Sequence, residues 1–148
     1  MGVDTVILAA NWFGYDQRHR FDLGDVQATV QAIRDEGVEV VFVGQSPIFD
    51  FVSPEEALFD QIKRGGVVGV SHSAVTVAFQ DWLKGQVQPD AYFDPAAHLC
   101  DAETCQFHAD GQYLVMDHGH LTLEGARRLA PLLVAQALTA RRGARSRS

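Results

Sequence analysis

A chain of 148 residues, 47% apolar and 21% charged, is one globular domain's worth and long enough to bury a core. A formal net charge of −7 argues against a nucleic-acid footprint, which needs a basic patch or stripe. No apolar run approaches the roughly 20 residues that span a bilayer, and MGVDTVILAAN has neither the basic region nor the cleavage site of a signal peptide.

Val3 to Ala9 is a near-continuous apolar run, the pattern of a parallel strand covered on both faces. Asn11 to Tyr15 then reads as a loop at that strand's C-terminal end. Asp25 to Arg34 carries Val26, Val30 and Ile33 at helical spacing, with Gly37 placed to end the helix. Val38 to Val43 is a second buried strand. The strand–helix–strand order predicts a parallel pair joined by a crossover. Ser53-Pro54-Glu55-Glu56 opens a helix to about Lys63: serine as cap, proline in the first turn, acids near the positive end of the dipole. Val67 to Val70 is apolar. Ser71 or Ser73 is then expected to cap a helix reaching Leu83, with Val75, Val77, Phe79 and Trp82 on its apolar face. Ala91 to Phe93 is a short strand, and Asp110-Gly111 joins Phe107–Ala109 to Tyr113–Val115 as a hairpin with a primed turn. Thr122 caps a final helix to about Ala140, burying Leu129, Leu132, Leu133 and Leu138. Without repeats or a linker, residues 1–140 are expected to form one layered α/β domain. The Arg/Ser-rich end, 141–148, with Arg141, Arg142, Arg145 and Arg147, is expected to be a disordered tail.

Chemistry concentrates in Asp117-His118-Gly119-His120. Asp117 and His120 stand three apart in a loop that becomes a helix. At that spacing the carboxylate can hold one imidazole nitrogen while the other faces a pocket, the base half of a Ser-His-Asp triad. The plainer alternative is that Asp117 caps the turn and His120 packs on the last helix; His118 reads as a surface residue. Asn11 lies just past the first strand, where ligands bind in open α/β sheets, or it caps a turn. Trp12 walls a pocket or plugs the core. Ser71, in Gly-Val-Ser-His-Ser, sits where a nucleophile would gain from a helix N-terminus, against a plain capping serine. Cys100 and Cys105 close a small loop in an oxidising compartment, and in the cytosol stand as free thiols or metal ligands. Drawn with His108, His118 and His120 they lack zinc-site spacing, so neither metal nor cofactor is expected. Gly44-Gln45-Ser46-Pro47 reads as a strand-end loop facing the same crevice as Asn11, and is no phosphate loop.

Asp117-x-x-His120-Leu121-Thr122 before a Gly-Ala helix start resembles the last block of the SGNH (GDSL-type) esterases and acetyltransferases. It is most similar to the SGNH domain at the C-terminus of integral-membrane acyltransferases that O-acylate bacterial surface polysaccharides. Val6-Ile-Leu-Ala-Ala-Asn-Trp12, Asp94-Pro-Ala-Ala-His-Leu-Cys100 with Cys105, and Gly111-Gln-Tyr-Leu-Val-Met-Asp117 agree in order and spacing, from Val6 to about Leu133. The resemblance implies a three-layer, flavodoxin-like α/β/α fold with a parallel sheet. The family's Gly-Asp-Ser block belongs upstream of Val6 and is not in this chain, so the first strand and the nucleophile are expected to be missing. The resemblance also implies His120 as general base, Asp117 as its orienter, Asn11 as oxyanion donor, and a Cys100–Cys105 disulfide. It implies an acylated sugar or polysaccharide substrate, a membrane acyltransferase domain as partner, and a periplasmic or extracytoplasmic site. Ser71 in a permuted site, a catalytically inactive carbohydrate-binding remnant and a metal-binding module are the competing readings.

Overall fold

The computed structural model describes residues 2–17, 23–87, 89–101 and 104–145. In chain order the elements are β1 (Thr5–Ala9), α1 (Trp12–Gln17), α2 (Leu23–Asp35), β2 (Glu39–Val43), α3 (Pro54–Arg64), β3 (Val70–Ser71), α4 (Val77–Val87), β4 (Ala91–Phe93), α5 (Ala96–Leu99), β5 (Cys105–Gln106), β6 (His108–Ala109), β7 (Gln112–Tyr113) and α6 (Leu123–Arg145). They fall into two compact units, one built from 1–45, 77–94 and 132–148, the other from 46–76 and 95–131.

The first unit holds a three-stranded parallel sheet in the order β1-β2-β4, as an α/β fold requires. Thr5 pairs with Glu39 and Ala9 with Val43; Val41 pairs with Ala91 and Val43 with Phe93. The run Val40-Val41-Phe42 is fully buried. Val40 and Phe42 pack with Trp12, Val26, Val30, Leu83 and Val87, and Val26 and Val30 lie on the face of α2 that the 3.6-residue period marks out. Gly37 adopts φ 74°, and its N–H returns to Arg34 O at 2.8 Å, closing α2 as expected. Arg34 grips the Asp90 carboxylate through two nitrogens at 3.0 and 3.1 Å, while the Val40 N–H donates to the same group at 3.0 Å. Burial alone would raise the Asp90 pKa, but these bonds outweigh it and lower it.

In the second unit Ser53 caps α3 by accepting from Glu56 N at 3.2 Å, and Gly65 ends it in the left-handed region at φ 68°. β3 pairs antiparallel with β5, and Cys105 in β5 is disulfide-bonded to Cys100. β6 and β7 form the expected hairpin, with Asp110 at φ 52° and Gly111 at φ 75° as the primed turn demands. Phe49, Phe107, Cys105 and Val115 make the core, with Phe51 stacked on Phe49.

Several expectations are corrected. The stretch after β1 is the helix α1 rather than a loop, because the Asn11 Oδ1 accepts from Gly14 N at 2.9 Å and caps it. α4 begins at Val77, not at Ser71 or Ser73, and buries Gln80, Leu83 and Val87, leaving Val77 and Trp82 exposed. Ser73 caps no helix because its hydroxyl accepts instead from Ile48 N at 3.0 Å and Val75 N at 3.1 Å. In α6 Leu129 is buried, but Leu132 and Leu138 are exposed. α6 runs to Arg145, past the expected end near Ala140, and 146–148 of the expected tail lie outside the described residues.

Candidate functional site

The loop carrying Asp117 and His120 belongs to the second unit. Met116 N donates to His120 O at 2.8 Å and Val115 bridges Leu121, so residues 117–120 are a closed tip rather than a trailing loop. Within it the Asp117 Oδ1 accepts the N–H groups of Gly119 at 2.9 Å and His120 at 2.8 Å. The His120 Nδ1 lies 2.8 Å from Oδ2 and 3.0 Å from Oδ1. Burial would raise the Asp117 pKa, but the two N–H donors and the imidazole outweigh it and bring it down to about 2. An ionised carboxylate can only accept, so Nδ1 must be the donor, and Nε2 carries the lone pair when the ring is neutral. His120 is 71% exposed at its side chain, which leaves Nε2 open to a proton donor. The arrangement is an oriented general base.

Thr122 fixes the start of α6. Its hydroxyl donates to Tyr113 O at 2.7 Å and accepts from Gly125 N at 3.1 Å, capping the helix as expected. Gly125 runs so close to Leu114 that a Cβ there would collide with the Leu114 carbonyl oxygen. His118 is exposed, and its carbonyl accepts from Phe49 N at 2.7 Å.

Asn11 and Trp12 belong to the first unit. Asn11 stands just beyond β1, and its capping bond uses Oδ1, leaving the exposed amide NH₂ as a donor. Trp12 is a core residue: it is 6% exposed, stacks on Phe42 at 4.4 Å, and donates its indole N–H to Val43 O at 2.7 Å. Beside them lies a buried polar network that sequence reasoning missed. The Gln45 Oε1 accepts from Phe13 N at 2.9 Å. The Gln80 Oε1 accepts from Gln45 N at 3.1 Å and from the Tyr92 hydroxyl at 2.8 Å, while its Nε2 donates to Gln45 O at 2.5 Å and Asp94 Oδ1 at 3.0 Å. The signal available was a glutamine in line with Leu83 and Val87 on the inner face of α4. Burial, with Asp94 and Asp81 nearby, pushes the Tyr92 phenol well up, so it stays a hydrogen-bond donor.

Ser71 lies in β3 opposite Cys105, away from any helix start, and its hydroxyl makes no hydrogen bond among the described residues. Cys100 and Cys105 are bonded to each other, and no group of three or more metal-ligating side chains occurs among the described residues. No helix of the described residues is long and apolar enough to cross a membrane.

A family model described as "SGNH domain (fused to AT3 domains)" matches residues 1–135. Among solved structures, the periplasmic domain of a lipopolysaccharide acetyltransferase from Salmonella ser. Paratyphi A is similar, with a TM-score of 0.63 at 14% identity. The match covers 88% of this chain and 57% of that domain, so the chain spans little more than half of the solved structure's length. No curated protein matches the chain.

Proposed function

The chain belongs to the SGNH domains that occur fused to AT3 domains, and on that premise we propose that it carries the base half of an acyl-transfer site for acyl esters, acetyl above all, of cell-surface polysaccharide. The observation that carries this reading is the His120 imidazole held through Nδ1 at 2.8 Å by Asp117, with Nε2 left open. Nε2 takes the proton of a serine hydroxyl as its oxygen bonds to the ester carbonyl carbon. The imidazolium returns that proton to the departing alcohol, leaving an acyl-serine. A sugar hydroxyl or water then attacks the acyl carbon by the same exchange, and the serine is restored. Asp117 stays ionised throughout and fixes the tautomer. The family resemblance assigns the oxyanion donor to the Asn11 amide NH₂.

These 148 residues contain no Gly-Asp-Ser run, so in this reading the serine comes from a segment outside them. β1 pairs only with β2 among the described residues, which leaves an edge for such a segment's strand. A membrane acyltransferase domain is the partner, since domains of this family occur fused to AT3 domains. An extracytoplasmic site fits the Cys100–Cys105 disulfide.

Fluorophosphonate labelling of the purified chain, and of a longer gene product containing it, with the modified residue found by peptide mass spectrometry, tests the reading. The expected result is no labelled serine in the chain alone, and in the longer product a serine outside 1–148 whose labelling disappears in His120→Ala. A label on Ser71 that disappears in His120→Ala would overturn it in favour of a permuted site. No label in either folded protein would leave a carbohydrate-binding remnant without chemistry.

A further inference from the structure

Ser71-His72-Ser73 has no nucleophilic role in this reading, yet the hydroxyl of its second serine accepts two backbone N–H groups. The Ser73 Oγ takes the N–H of Ile48 at 3.0 Å and that of Val75 at 3.1 Å. Ala74 N returns to Ile48 O at 2.7 Å, and Phe49 bridges Ser73 in antiparallel fashion. Ile48 and Phe49 therefore form a short rung fixed on one side to residues 73–74. On its other side the rung reaches the dyad, because Phe49 N donates to His118 O at 2.7 Å. His118 is the residue between Asp117 and the two N–H groups that Asp117 accepts. Phe49 is 3% exposed and its ring packs against Phe51 and Phe107, so the rung is anchored by its side chain as well as its backbone.

We propose that Ser73 is a positioning residue for the Asp117–His120 pair, acting through the Ile48–Phe49 rung on the backbone of the dyad loop. The hydroxyl holds the rung, the rung holds the His118 carbonyl, and the loop is thereby kept in the turn that brings Asp117 under Nδ1. Its significance for catalysis rests on the reading of His120 as a base; its geometry does not. Ser73→Ala removes the acceptor and leaves the Ile48 N–H without a partner, whereas Ser73→Thr keeps a hydroxyl at the same carbon.

Nitrogen-15 NMR of the full chain at neutral pH, read at the His120 ring and at the Ile48 and Phe49 amides, is the test. In the wild type the His120 ring shows the Nδ1–H tautomer. In Ser73→Ala that signature is lost or mixed, and exchange at Ile48 and Phe49 speeds by about fivefold, the loss expected for one neutral hydrogen bond. Ser73→Thr restores both. Val30→Ala, a destabilising change in the core of the other unit, leaves the tautomer as in wild type and separates positioning from general loss of stability. An unchanged tautomer and unchanged exchange in a folded Ser73→Ala protein would overturn the proposal. Unprotected Ile48 and Phe49 amides in the wild type would overturn it too, even if the alanine variant does not fold. None of these readings depends on a serine nucleophile, so failure of the acyl-transfer reading would show separately, in the labelling.

Discussion

Asp117 answers to three donors at once: the N–H groups of Gly119 and His120 and the His120 Nδ1. Folding lowers its pKa from 3.8 to about 2. The group therefore contributes stability that is fully present above the unfolded value and is lost as pH falls through the folded one. Its side chain is 35% exposed, so after discounting for solvent screening the contribution is on the order of 1 kcal/mol. Asp117→Asn keeps an oxygen for the two N–H groups and gives up the charge. The urea midpoint of the wild type should thus fall further than that of Asp117→Asn between pH ~5 and pH ~2.5. Parallel losses in the two proteins would show that the carboxylate charge contributes nothing to the folded tip. The pair itself was legible in the sequence because both partners lie within three residues, a distance over which backbone geometry alone decides who can meet whom. The place of Gln80 in line with Leu83 and Val87 is a periodic trace, but its pairing with Gln45, 35 residues away, leaves none. Ser73 reads in the sequence as a helix cap, because the partner it takes instead, Ile48, comes from 25 residues upstream.

The same division between local and distant causes runs through the elements. α3 and the β6–β7 hairpin could be read from the chain because Ser53, Pro54, Gly65 and Asp110-Gly111 act on their immediate neighbours. α4 could not be placed, because the serines offered as its caps are engaged elsewhere: Ser71 in a strand pair, Ser73 on the rung. Its buried face shifted with it, from Val77 and Trp82 to Gln80, Leu83 and Val87. The α6 start was legible, although the tightness of its seat was not. A Cβ at Gly125 would collide with the Leu114 carbonyl oxygen, a backbone group that cannot rotate away. Gly125→Ala should therefore cost about 1–3 kcal/mol of stability in urea denaturation. Gly85, in α4 with open space around it, is the counter-case; Gly85→Ala should stabilise by about 0.5–1 kcal/mol through helix propensity alone. If Gly125→Ala raised the midpoint as Gly85→Ala should, propensity rather than the Leu114 contact would be governing Gly125.

At the scale of the whole molecule, the question is what the sheet of the first unit does with its outer strand. Strands of a parallel sheet are ordinarily covered on both faces, and Val41 and Phe93 are buried as that rule requires. Ile7 is the register partner of Val41 and so shares its face, yet it is 48% exposed. Cover on that face stops short of β1. Along its edge β1 also presents backbone N–H and C=O groups that no strand among the described residues takes up. An apolar, unpaired edge is a template for another chain. Against association stands the net charge of −7, whose repulsion between copies weakens as salt is added. The chain should therefore self-associate with rising concentration, and more strongly at high than at low ionic strength. Ile7→Lys, which puts a charge on the edge strand without disturbing its pairing to β2, should hold it monomeric. Sedimentation velocity at several concentrations and two salt levels distinguishes the cases. A wild type that stays monomeric throughout would mean that the β1 edge does not recruit copies of itself. A wild type that associates equally with and without Ile7→Lys would move the contact elsewhere on the chain.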